Sequence, residues 1–233
     1  MNRETRLENK ADFKRIILKL IPALYLACLF VGPYYITKLI TAGREAILPV
    51  TVIDDIVPLW TPSVVIYFLA FAQWAAGAVI IMLQDDALRK RAFTAIFIAL
   101  VLSSAIFIAF PTYTVRPEIT GDGLFDKILA WVYLIDEPTN VLPSFHCLAS
   151  WMIARLVMKC GGIPKWLKIG NLVLAILVFA SVLLTKQHLF LDIPSALIIA
   201  EAALFISKKY VPDKLLDRLM FCDAGGETKE DTK

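Results

Sequence analysis

The chain has 233 residues, 58% of them hydrophobic and 19% charged, with a mean hydropathy of +0.68, an apolar excess that one water-soluble core of this length could not hide. The formal net charge is only +3, and Lys and Arg stand in short clusters between apolar runs, which excludes a basic stripe for nucleic acid and points to membrane topology. The four cysteines, Cys28, Cys147, Cys160 and Cys222, show no Cys-x-x-Cys spacing, so they indicate neither a metal knuckle nor a disulfide framework and read as packing residues.

In chain order, a long charged stretch precedes the first apolar run, which lacks a small-residue cleavage site and so reads as a retained helix and not a removed signal peptide. A helix crossing a hydrocarbon core of roughly 30 Å needs about 20 mostly apolar residues. Mostly apolar runs near that length are Leu20 to Ile36, Ser63 to Leu83, Ala92 to Phe110, the short Cys147 to Met158, Ile169 to Leu184, and Leu189 to Ser207. The fourth begins near Ser144, with Arg155 snorkelling from its far end. The expected fold class is all-α: a polytopic membrane protein whose six-transmembrane-helix bundle occupies residues 1–221, followed by a disordered cytoplasmic tail, 222–233, with Gly225-Gly226 and alternating charges. No internal repeat or second domain is visible, and nothing fixes an oligomeric state.

With six spans, 19 of the 24 Lys and Arg fall in alternate segments, so both termini and the loops at Arg89-Lys90-Arg91 and Lys165 to Lys168 are expected to be cytoplasmic. The expected location is the plasma membrane of a bacterium. The opposite face carries the two longest loops, Thr37 to Pro62 and Pro111 to Pro143. In the second, Ile128, Trp131 and Tyr133 suit a short helix lying on the bilayer.

Only two histidines occur, and both lie where an expected span meets that outer face: His146 opens the fourth span and His188 sits between the fifth and sixth. The topology brings Arg116, His146, His188 and Asp192 to one side. The i, i+4 spacing of His188 and Asp192 puts them on one face of a helix, where the carboxylate can accept the imidazole N–H and leave the other nitrogen free as nucleophile or base. Taken singly, each element also has a plain structural reading: an interfacial His–Asp hydrogen bond, a loop Arg-Pro, a helix start at Ser144. Glu201 reads as a buried hydrogen-bonding carboxylate or a step in a proton path, and Asp54-Asp55 and Asp85-Asp86 as solvated loop charges without the further ligands of a metal site.

In order, Arg116-Pro117, then Pro143-Ser144-Phe145-His146, then Ser181 with His188 and Asp192 resemble the three signature motifs of the type 2 phosphatidic acid phosphatase superfamily. Those motifs are Lys, six residues, Arg-Pro; Pro-Ser-Gly-His; and Ser-Arg, five residues, His, three residues, Asp. The spacing is kept, while Ala109 stands at the Lys position, Phe145 at the Gly and Val182 at the third-motif Arg. Similar losses occur in the branch resembling inositol-phosphoceramide and sphingomyelin synthases, which pass a phosphoryl head group to an alcohol.

The resemblance implies a membrane enzyme that hydrolyses a lipid phosphate or diphosphate through a phosphohistidine at the extracytoplasmic face, with no metal or other cofactor. It implies His188 as nucleophile, Asp192 as its orienting countercharge and His146 as general acid and then base. Arg116 and Ser144 would hold the phosphate oxygens, the latter with the amides of its helix start. Lys186 is a further candidate for phosphate binding, on charge and position alone; the alternative is a snorkelling lysine. Two competing readings are a lipid phosphotransferase and a non-catalytic binder or transporter of an anionic lipid, the latter disfavoured by the lack of inverted repeats.

Overall fold

A computed structural model describes residues 32–212, which are all-helical. The chain is helical over 32–41 (α1), then forms α2 (Val52–Ile56), a 3-10 turn (Thr61–Ser63) running into α3 (Val64–Met82), α4 (Asp86–Ala109), α5 (Leu124–Ile135), α6 (Phe145–Val157), α7 (Lys165–Leu184) and α8 (Asp192–Tyr210). Among the described residues no strand forms; two isolated bridges, Ile47 with Thr112 and Tyr113 with Thr139, tie the loops together.

Local sequence sets the helix ends. Asp85 caps α4 by accepting the Leu88 amide at 2.8 Å, and the helix stops before Pro111. Ser144 caps α6 by accepting the Cys147 amide at 3.3 Å, and Pro164 leads into α7.

Among the described residues three helices are long and apolar enough to cross a membrane: Thr61–Met82, Asp86–Ala109 and Lys165–Leu184. Helix α6 is shorter, with 13 residues, and the apolar run of α8 is broken by Glu201 and closed by Lys208 and Lys209. Of the first expected span only the last residues are described, as the beginning of α1; its remainder, Cys28, Cys222 and the tail 222–233 lie outside the described residues.

Helix α6 is short because it is central. It packs against α3, α7 and α8, and nine of its 13 residues are buried, with Arg155 near its far end reaching out of the core. Small residues bring the backbones together, as expected where packing rather than water drives helix association: Ala149 and Ala154 on α6, Ala70 and Gly77 on α3, Ala200 and Ala203 on α8. At Gly77 a Cβ would lie 2.2 Å from Ile153 Cγ2, so this crossing requires glycine. Polar links run through the bundle: Trp74 Nε1 donates to Ser150 Oγ (2.9 Å), and Gln73 Nε2 to Asn171 Oδ1 (2.8 Å). Glu201 takes the structural role, accepting from Trp151 Nε1 and pairing with Arg155 Nε, both at 2.8 Å.

Two backbone bonds bring four helix ends together. The Trp60 amide donates to Leu184 O (2.9 Å) and the Ser144 amide to Asp192 O (3.2 Å), so the start of α3, the end of α7 and the starts of α6 and α8 share one end of the bundle. At the far end, Arg91 donates to the carbonyls of Ser207 and Val211, and Lys168 to those of Met158 and Cys160. Of the cationic clusters counted in the sequence, those at Arg89-Lys90-Arg91 and Lys165 to Lys168 lie at this end.

Candidate active site

The turn between α7 and α8 builds the first half of the site. Thr185 folds its hydroxyl onto Ser181 O (2.8 Å), Lys186 takes a left-handed backbone (φ 54°), and the carbonyl of Val182 accepts both the Gln187 and His188 amides at 3.0 and 3.1 Å. Asp192, fully buried, then accepts the Leu189 amide (2.9 Å) and His188 Nδ1 (3.0 Å) on Oδ2. The pair thus meets across a turn and not along a helix face: His188 precedes the helix and Asp192 is the first residue of α8. His188 Nδ1 also lies 3.0 Å from Val141 O. Both neighbours are acceptors, which assigns the proton to Nδ1 and leaves the lone pair on Nε2, a nitrogen without a hydrogen-bond partner among the described residues.

His146, the second residue of α6, faces His188 with ring centroids 6.0 Å apart. It lies over Tyr67 (4.2 Å, 30°) and is flanked by Trp74 and Phe71 at 5.3 and 5.6 Å, so aromatic rings fix its plane. Ser144 sits behind this pair. Its hydroxyl oxygen caps α6 and its amide joins α8, and it does not line the cavity in front of the histidines.

Arg116 arrives from the loop after α4, with its side chain 7% exposed. One terminal nitrogen donates to the carbonyls of Tyr133 and Asp136, the other to Gln187 Oε1, and the Asp136 carboxylate lies 3.9 Å away. The guanidinium also sits over the Tyr133 ring at 4.8 Å. Burial draws its pKa below the usual arginine range, and Asp136 counters that. Burial raises the Tyr133 phenol to about 12, so it remains a neutral donor, to Thr185 O at 2.6 Å.

Arg116, His146 and His188 line one cavity of about 280 Å³, walled by aromatic side chains and opening past the exposed rings of Tyr35, Phe68 and Phe71. Four of the six buried polar side-chain atoms without a partner among the described residues belong to this site: Arg116 Nε, His146 Nε2, Gln187 Nε2 and Asp192 Oδ1. Unpaired polar atoms are rare in interiors, and such clustering marks a place where a ligand supplies the partners. Among the described residues no group of three or more His, Cys, Asp or Glu side chains could hold a metal ion.

Lys186 is turned the other way. It donates to the carbonyls of Asp54 and Val57 and lines an adjoining, more polar pocket, separated from the cavity by Arg116 and His188. Asp54 is no solvated loop charge: its Oδ1 accepts the Phe190 amide at 2.7 Å and its Oδ2 caps α2, pinning the His188 turn. Of the three positions that depart from the family pattern, Phe145 joins the aromatic wall beside Tyr34 and Phe107, Val182 is fully buried, and Ala109 is exposed away from the cavity.

Sequence reasoning missed Asp136, Gln187, Tyr34 and Lys38. Tyr34 donates to Asp136 Oδ1 at 3.2 Å, and Lys38 reaches the same oxygen at 3.5 Å, which ties α1 to the Arg116 counter-ion. Asp136 and Gln187 lack a motif, but Gln187 lies between Lys186 and His188, and Asp136 lies three residues after Tyr133. No family model matches the chain, and neither a curated protein nor a solved structure does.

Proposed function

We propose that this protein is a membrane-embedded enzyme that hydrolyses a lipid phosphate ester through a phosphohistidine. The observation that carries the reading is His188, its Nδ1 proton held by Asp192 and Val141, facing His146 at 6.0 Å across a cavity that also holds Arg116. His188 Nε2 attacks phosphorus, forming the P–N bond as the P–O bond to the leaving group breaks. His146 protonates the departing oxygen, then takes a proton from water as it attacks phosphorus and the P–N bond breaks, releasing phosphate, or a phosphate monoester where phosphorus carries a second ester, and restoring His188. Asp192 offsets the positive charge that develops on the imidazole, and Arg116 meets the phosphoryl oxygens. The lipid tail lies along the aromatic wall toward Tyr35, Phe68 and Phe71, rings exposed where a bilayer would touch the protein.

The finer topology belongs to the same proposal: six spans, both termini cytoplasmic and the histidines at the extracytoplasmic face, as the distribution of Lys and Arg requires. A second reading, transfer of the phosphoryl group to an alcohol, is favoured by the apolar residues Ala109 and Val182 at two positions that are cationic in the resembling hydrolases. Purified protein offered a panel of lipid phosphates, with and without a long-chain alcohol, tests both. Release of phosphate or of a phosphate monoester without alcohol identifies the hydrolase, a new lipid ester formed only with alcohol identifies the transferase, and neither product refutes both.

A further inference from the structure

The charges around the cavity do not suit a doubly charged phosphate. Arg116 is the one cation among its lining residues, and its terminal nitrogens are already engaged by two carbonyls, Gln187 and the Asp136 carboxylate. Only Arg116 Nε, on a side chain 93% buried, has no partner. The other nearby cations are also committed: Lys38 to Asp136 and to Glu137 O, and Lys186 to the carbonyls of Asp54 and Val57. Against these stand the carboxylates of Asp136 and Asp192, with exposed Glu137 at the rim. Counting the Arg, Lys and Asp side chains alone, Arg116 and Lys38 are balanced by Asp136 and Asp192. In a largely apolar, half-enclosed cavity every further unit of unmatched charge is costly.

We propose that the cavity selects a singly charged phosphodiester over the dianionic monoester of the same lipid, and that Asp136 is the specificity-determining residue. The inference rests on the reading above in taking the cavity as the seat of the phosphorus, and it narrows that reading to a phosphorus carrying two ester oxygens. Asp136, shared between Arg116 at 3.9 Å and Lys38 at 3.5 Å, offsets part of the Arg116 charge before any ligand arrives. What remains for the ligand is the Nε–H and one further guanidinium N–H, the Gln187 amide and the two imidazoles, a set that meets one negative charge better than two.

The probes are dihexanoyl phosphatidic acid and its methyl phosphodiester, which differ by one methyl group and about one charge at pH 8, since the second phosphate pKa is about 6. Binding to the full chain in detergent is read by thermal stabilisation, which follows mass action and needs no turnover. Cleavage is followed in parallel by phosphorus NMR. The diester is expected to bind at least tenfold more tightly. Asp136→Asn, which keeps the shape and frees the guanidinium charge, should reduce that ratio to threefold or less. Lys38→Met, which leaves the Asp136 charge entirely to Arg116, should raise it severalfold and keeps the test available if Asp136→Asn does not fold. Equal or tighter binding of the monoester by the wild type overturns the proposal, and a ratio that neither variant moves removes Asp136 from it. The expected ratio without any cleavage preserves the selectivity and sinks the enzymatic reading; binding of neither lipid overturns both.

Discussion

Replacing Asp192 with asparagine removes one charge and almost no volume, and the structure dictates how the new amide must lie. Oδ2 of Asp192 accepts from both His188 Nδ1 and the Leu189 amide, and a backbone N–H can only donate. The asparagine oxygen therefore takes that position, its NH2 takes the place of the unpartnered Oδ1, and His188 keeps its proton on Nδ1 next to Val141 O. Orientation survives while the countercharge is lost. The hydrogen bond falls from charge-assisted to neutral, a loss of about 1–2 kcal/mol, and full Coulomb attraction at about 4 Å and an effective dielectric of 20 is about 4 kcal/mol. A developing imidazolium should lose about 2–4 kcal/mol between these bounds, a drop in kcat of about 30- to 1,000-fold with KM little changed. The buried NH2 without an acceptor should also cost about 1–3 kcal/mol of stability, seen as a lower Tm. Single-turnover kinetics on a lipid phosphate ester measure the first effect. A loss under fivefold would refute Asp192 as countercharge. A loss above about 10,000-fold, the size associated with a wrong imidazole tautomer, would refute the amide placement forced by Leu189.

The two histidines should fail differently. His188→Ala should abolish turnover and any covalent phosphoenzyme, whereas His146→Ala, lacking acid–base assistance of about 100- to 10,000-fold, should retain cleavage of an activated aryl phosphate and accumulate acid-labile phosphate on the protein. Acid quenching with labelled substrate checks this, and trapped phosphate on His188→Ala alone would reverse the roles. Arg116→Lys keeps the charge but cannot hold Gln187, two carbonyls and phosphate at once, so kcat/KM should fall about 30- to 150-fold, or about 2–3 kcal/mol, while a loss under threefold would free Arg116 from phosphate recognition. A cysteine at Gly123, the N-cap of α5, should react with an impermeant maleimide in intact cells; reaction only after permeabilisation would invert the topology.

The apolar runs located the helices well because length and hydropathy decide both: the second, third and fifth expected spans coincide with α3, α4 and α7 to within a few residues, apart from extra N-terminal turns on α4 and α7. Helix α6 was harder to interpret. Its shortness reflects a buried central place, and hydropathy cannot distinguish burial in protein from burial in lipid. At the site Arg116, His146, His188 and Asp192 do converge, while Ser144, singled out by the motif resemblance, and Lys186, by charge and position, turn to backbone partners instead. Lys186 shows why: charge says what a side chain prefers to meet, but the two waiting carbonyls at the end of α2 belong to a segment 129 and 132 residues away in sequence. Asp136 and Gln187 were invisible for the same reason, since each matters through Arg116, and that pairing is made by the path of a loop.

The Val182 carbonyl and side chain have separate duties, and that division limits how the site can change. The carbonyl anchors two amides of the His188 turn, whatever residue stands there, while the side chain is fully enclosed by the bundle. A single substitution to arginine would thus leave the turn's anchor intact and place a guanidinium inside a fully buried apolar core position. Accommodating a cation there would require several core positions to change together. The low positive charge of this cavity is therefore held in place by packing as well as by the choice of one side chain.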